Sequence, residues 1–156
     1  MAKVRNLEKD SAINETDAAG TPALRKGAAP SAETTVTGSC LCGAVTFTLA
    51  GDPIRAGLCH CHDCRRASGS AFSMFLVWDR SAFACTGPTG VYEGRSFCSS
   101  CGSRVFSLRP EEAEIMAGAL DRAPTQFTPG YELWTKRREH WLRPVRSAQQ
   151  FEEDRG

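Results

Sequence analysis

The sequence predicts a mainly β single domain held together by zinc, with one short helix. Short apolar runs alternate with Thr or run nearly unbroken, and Gly, Asp and Pro punctuate them, so strands carry the core. Seven of the eight cysteines fall into three tight clusters. A chain of 156 residues makes one domain and is short enough for metal to take over part of the core's work.

Residues 1–36 carry no aromatic residue and no sustained apolar period, and Pro22 and Pro30 interrupt any helix. They read as a disordered N-terminal tail, with order beginning near Val36 and the domain spanning 37–146. From Ala44 to Ala50, Val45, Phe47 and Leu49 alternate with Thr46 and Thr48, the period of a half-buried strand, and Gly51-Asp52-Pro53 turns the chain. Ala71 to Trp78 is nearly continuous in apolar character, as in a strand buried on both faces. Cys61 to Ser68 is the one short helix, stopped by Gly69. Arg104 to Leu108 is a third strand, with Phe106 and Leu108 on one face and Val105 on the other. Glu114 to Ala119 is a short run around Ile115 and Met116, ended by Gly118 and a Leu120-Asp121 turn. Tyr131 to Thr135 reads as the last strand, followed by a basic stretch and Trp141-Leu142. Residues 147–156 read as a polar, frayed C-terminal tail.

A net charge of +1 gives no global attraction to nucleic acid or anionic membrane. No apolar run approaches the roughly 20 residues that span a bilayer. The first twenty residues have no apolar segment of the kind that marks secretion, so a cytoplasmic location with reduced thiols is expected.

The cysteine clusters are Cys40-Leu41-Cys42-Gly43, Cys59-His60-Cys61-His62-Asp63-Cys64 and Cys98-Ser99-Ser100-Cys101-Gly102. Thiols two or three positions apart converge on one ion, whereas disulfides usually join distant parts of a chain. Cys40, Cys42, Cys98 and Cys101 supply the four thiolates of a closed structural zinc site, and the Gly after each pair permits φ > 0 in the turn. Cys59, Cys61 and Cys64 supply three, which leaves a fourth position open as in a catalytic zinc. His60, His62 and Cys85 are the nearby candidates to close it; read otherwise, Cys85 is a buried inert thiol. Zinc with three thiolates carries a formal charge of −1. It is a poor generator of hydroxide from water and suits a soft sulfur ligand, which points to thiol chemistry.

The residues Gly38 to Gly43, Cys59 to Gly69 and Phe97 to Gly102, in that order, resemble the glutathione-dependent formaldehyde-activating enzyme family, which also includes centromere protein V. Ala117 to Asp121 and the Trp134 to Trp141 segment are similar to its C-terminal portion, so the resemblance covers about residues 37–145. It implies a Mss-four-like fold of coiled β-sheets and two zinc ions per chain. Cys40, Cys42, Cys98 and Cys101 would hold the structural ion and Cys59, Cys61 and Cys64 the catalytic one. It also implies a carbon–sulfur lyase activity that joins glutathione to formaldehyde.

In that reading a substrate sulfur attacks an aldehyde carbon, Arg65 is the nearest donor for the oxyanion, and His60 is a proton shuttle. Arg65 and Arg66 read equally well as helix-surface charges. Two other readings compete. A non-catalytic binding module would use Lys136, Arg137, Arg138, Arg143 and Arg146, although Glu132 and Glu139 flank that run. A redox or metal-buffering protein would use a labile middle zinc.

Overall fold

In the computed structural model, which describes residues 34–155, eleven strands and one α-helix form two sheets. In chain order the strands are β1 Thr35–Ser39, β2 Thr46–Ala50, β3 Arg55–Cys59, β4 Ser73–Asp79, β5 Phe83–Thr86, β6 Thr89–Tyr92, β7 Arg95–Cys98, β8 Arg104–Leu108, β9 Glu112–Met116, β10 Tyr131–Leu133 and β11 Gln149–Gln150. The helix α1 is His62–Ser68. The small sheet is ordered β1-β2-β5 and the large one β11-β10-β3-β4-β9-β8-β7-β6. Pairing is antiparallel except at β10, which lies parallel to both β3 and β11. The mainly β architecture with one helix is as the sequence predicts.

The alternation in β2 works as its period requires. Phe47 and Leu49 are buried while Thr46, Thr48 and Ala50 are exposed. Phe47 meets Phe106 edge-on at 6.1 Å, and Phe106 meets Phe83 edge-on at 4.8 Å, so an aromatic cluster joins the small sheet to β8 of the large one. β4 runs through the middle of the large sheet with Phe75, Leu76, Val77 and Trp78 all buried, and the Trp78 indole N–H donates to the Gly51 carbonyl at 3.1 Å. β1 can lie close over this core because Gly38 has no side chain: a Cβ there would come within 2.1 Å of the Phe47 ring and 2.4 Å of the Ala119 carbonyl oxygen.

Two boundaries differ from expectation. Pairing begins at Thr35, two residues before the expected domain start, with Val36 opposite Leu49 of β2; the rest of the expected disordered tail, residues 1–33, lies outside the described residues. The segment expected to fray, 147–156, is docked instead. Gln149 and Gln150 pair with Tyr131 and Glu132, and Phe151 packs against the core. The N–H groups of Thr135 and Trp134 donate to the carbonyls of Phe151 and Glu153 at 3.0 and 3.1 Å. Its anchors are backbone bonds, one apolar ring and polar side-chain contacts such as Gln150 with Glu132, which leave no periodic trace in a polar sequence. Among the described residues no helix is long and apolar enough to cross a membrane.

Candidate metal centres and the cleft beside them

Two hairpin turns build the first cluster. Cys40 and Cys42 lie in the turn between β1 and β2; Cys98 ends β7 and Cys101 lies in the turn to β8. In both turns the following glycine is left-handed, Gly43 at φ 77° and Gly102 at φ 75°, a backbone conformation that is strained for most residues with a side chain. Their N–H groups donate to the carbonyls of Cys40 and Cys98 at 3.0 and 2.8 Å, which closes each turn. The four sulfurs end up within 4.8 Å of one another, with Cys40 and Cys42 at 3.5 Å and Cys42 and Cys98 at 3.8 Å. A tetrahedral ion with zinc–sulfur bonds of about 2.3 Å has sulfur–sulfur edges of about 3.8 Å, so the cage fits. An ion there would staple the small sheet to the large one.

The second cluster joins β3 to α1. Cys59 is the buried last residue of β3, and Cys61 is the N-cap of the helix, its sulfur accepting from the Cys64 N–H at 3.3 Å. The three sulfurs lie within 4.8 Å of one another, with Cys61 and Cys64 only partly covered. The helix has seven residues, none of them buried, and ends at left-handed Gly69. A helix this short is unstable alone, and the Cys61 cap at its first turn is one of the contacts that hold it. Among the described residues no further His, Cys, Asp or Glu completes this group. His62 is exposed on the helix, and Cys85 is exposed on β5, opposite Phe47 in the small sheet.

Hydrogen bonds within and beside each cluster lower some thiols and raise their partners. The Ser103 hydroxyl and N–H hold Cys101 down to about 5. The Ala44 N–H favours the Cys42 thiolate, but the Cys40 and Cys101 thiols outweigh it and push Cys42 up to about 11. In the second cluster the Cys59 thiol holds Cys64 down to about 6, with the Arg104 guanidinium adding to the effect. Cys59 itself is pushed far above the usual thiol range by Cys64 and by burial. Simultaneous ionisation in either cluster needs a cation among the sulfurs.

The structure gives His60 and Arg65 other work than the sequence suggests. His60 is fully buried, and its Nε2 lies 2.9 Å from Glu132 Oε2, so it does not reach the three sulfurs as a ligand or face solvent as a proton shuttle. Arg65 Nη2 donates to Glu139 at 2.5 Å and Nη1 to the Arg137 carbonyl at 3.3 Å, which ties α1 to the segment after β10. Glu132, read from sequence as a flanking charge, is the buried hub of this region. Arg138 Nη1 also donates to Oε2 at 3.1 Å, while the Val145 N–H and Gln150 Nε2 donate to Oε1 at 2.6 and 3.1 Å. The signal that could have exposed it is a carboxylate inside the apolar strand Tyr131-Glu132-Leu133-Trp134, where only a paired charge is tolerated.

A cleft of about 990 Å³ opens between the first cluster's Cys40 turn and the C-terminal end of α1, lined by Ser39, Leu41, Ser68, Ser73, Ser103 and Arg104 among others. Ser73 stands opposite Cys59 in the β3–β4 register. Ala67 and Ser68 also line it, and they share a helix face with Cys64, three and four residues before them.

The family model described as glutathione-dependent formaldehyde-activating enzyme matches residues 35–137. A solved structure of a Rhodobacter sphaeroides protein is similar at 20% identity, covering 60% of this chain and 97% of that chain, with a TM-score of 0.46. Among curated proteins none matches the chain. The matched span contains both cysteine clusters and most of the strands, and by it the chain belongs to the glutathione-dependent formaldehyde-activating enzyme family.

Proposed function

We propose that this protein is a zinc-dependent carbon–sulfur lyase-type enzyme that adds glutathione, or a similar thiol, to formaldehyde or another small aldehyde. The observation that carries the reading is the group of three sulfurs, Cys59, Cys61 and Cys64, gathered within 4.8 Å with Cys61 and Cys64 partly open. Membership of the family supports the substrate pair. In this reading Cys59, Cys61 and Cys64 hold one zinc, and Cys40, Cys42, Cys98 and Cys101 hold a second, structural one.

Zinc bound to three thiolates would supply a soft acceptor that lowers the pKa of an incoming thiol. The chain's own residues prepare that position. Cys59 is fixed by the end of β3, and Cys61 by the helix cap that its sulfur accepts. The bond that forms joins the substrate sulfur to the aldehyde carbon, and the thiol proton ends on the former carbonyl oxygen. The cleft beside α1, at about 990 Å³, has room for a tripeptide-sized thiol, with serine hydroxyls for its polar groups. The reduced clusters suit the cytoplasm, where we place the protein.

The binding-module reading is less well supported. Three of the five cations it needs are engaged within the chain: Lys136 with Glu153, Arg137 over the Trp134 ring at 4.4 Å, and Arg138 with Glu132 and Gln150. The test is NMR of aldehyde loss and thiol-adduct formation with wild type and Cys61→Ser. Wild type should accelerate the reaction and the variant should not; equal acceleration by both would discard the mechanism.

A further inference from the structure

We infer that Glu132 is a positioning residue of the middle cysteine cluster, acting through His60 to set where Cys59 and Cys61 stand relative to one another, on the reading that Cys59, Cys61 and Cys64 hold an ion.

The cluster is assembled from two pieces. Cys59 belongs to β3, opposite Ser73 of β4 on one side and Leu133 of β10 on the other. Cys61 and Cys64 belong to the start of α1, joined by the cap in which the Cys61 sulfur accepts the Cys64 N–H. His60 is the residue between the pieces. Neither cysteine pair of the first cluster has such a joint, because each sits in one turn closed by a glycine N–H. The ion pairs of α1, Arg65 with Glu139 and Asp63 with Arg95, lie partly in solvent, where such pairs contribute little.

β10 grips the joint twice. The His60 N–H donates to the Leu133 carbonyl at 3.0 Å, and Nε2 meets Glu132 Oε2 at 2.9 Å. The ring is fully buried, and its Nδ1 has no hydrogen-bond partner among the described residues. Glu132 is thus the polar group that orients the ring. An ionised carboxylate only accepts, so Nε2 carries the shared proton. Three other donors fix the carboxylate independently of His60: Arg138, the Val145 N–H and Gln150. The anchor is therefore in place before any ion arrives, and supports of this kind set both the direction of metal ligands and the affinity of the site.

The experiment loads the full chain with zinc for chelator competition and with cobalt(II) for the sulfur-to-metal absorption bands, those of the middle site being the ones lost in Cys61→Ser. His60→Phe keeps a ring and removes the donor, while Glu132 keeps its three other partners. Its middle ion should be held about 10- to 100-fold less tightly than in wild type, the range for losing an outer support of a metal site, and its cobalt bands should shift. The first cluster's ion should be unmoved, which a general loss of stability would not spare. His60→Gln returns an N–H donor to Glu132 and should recover most of the affinity and the wild-type bands. Should His60→Phe fail to fold, wild type alone decides. Adding the second ion should slow hydrogen exchange at the His60 and Val145 N–H groups, because coupling between the ion and its support is reciprocal. Wild-type affinity in His60→Phe, equal defects in the Phe and Gln variants, equal loosening of both ions, or exchange indifferent to the second ion would overturn the inference. A wild-type protein that binds one ion would remove the middle site itself, and the inference with it. Two ions held as expected without aldehyde turnover would instead sink the proposed reaction and leave this inference standing.

Discussion

His60 Nε2 lies 2.9 Å from Glu132 Oε2, and neither side chain reaches solvent. His60 stands between Cys59 and Cys61, whereas Glu132 belongs to β10 and gathers Arg138, Val145 and Gln150 around its other lone pairs. One carboxylate thus connects the middle cysteine loop to the chain's C-terminal segment. Removing it should leave a buried histidine and an N–H without partners and take away the carboxylate of the Arg138 ion pair. Glu132→Leu is expected to cost about 3–5 kcal/mol in urea unfolding. A cost under about 1 kcal/mol would mean that the network relaxes onto water.

The same carboxylate predicts a pH dependence. Burial pushes Glu132 up, but the Val145 N–H, His60, Gln150 and Arg138 outweigh it and hold it below the ordinary carboxylate range. A depressed folded-state pKa contributes stability that is fully present above the unfolded value of about 4.3 and is lost as pH falls through the folded value. Wild type should therefore lose stability below about pH 4 more steeply than Glu132→Gln, in denaturant titrations run at successive pH values. Parallel slopes would assign the acid loss to other groups, such as Glu112, which Arg55 holds down, or thiolates that lose a bound metal on protonation.

Removal of metal from the first cluster should unfold the domain rather than loosen one turn. The four sulfurs come from hairpins in different sheets, and zinc in such sites contributes about 10–16 kcal/mol at neutral pH, against a domain's total of about 5–15. Chelation should abolish the β-sheet circular dichroism, and added zinc should restore it. Retained ellipticity with no bound zinc would show that the aromatic cluster of Phe47, Phe83 and Phe106 suffices.

Gly38→Ala should destabilise by about 3 kcal/mol, the upper end for overpacking, because its Cβ would meet both the Phe47 ring and the Ala119 carbonyl. Gly118→Ala is the paired control, since a Cβ there meets nothing within 4 Å and φ is not positive. It should change stability by less than about 1 kcal/mol. Thermal unfolding of the two variants side by side decides this.

Cys85→Ser should leave metal content and aldehyde turnover at wild-type levels. The thiol is exposed on β5 and belongs to neither cluster. Loss of an ion in this variant would require a different ligand set.

What the sequence made legible follows from how local each signal is. The three strands with clear apolar pattern, β2, β4 and β8, and the capped helix α1 come out within about two residues of their expected bounds. The middle triad and the two Gly-followed cysteine pairs were readable because close spacing is a property of a few adjacent residues, and the ligand count of four joined the two pairs. β1, β3 and β5 to β7 were not readable: Arg55-Ala56-Gly57-Leu58-Cys59 and Thr89-Gly90-Val91-Tyr92 have no two-residue apolar period, and pairing partners make them strands. Glu132 stayed hidden for a related reason, since its role is set by groups that only the fold brings near. Arg65 looked suited to the chemistry by adjacency in sequence, yet its partner Glu139 lies 74 positions away.

Cys42 and Cys98 touch across 56 positions of chain, and each belongs to a different hairpin, one in each sheet. A newly made chain would thus have two half-cages waiting for one ion to bring them together. In a cell short of zinc the halves would stay apart and fall to quality control, so the amount of this protein, before its turnover rate, would track the metal supply.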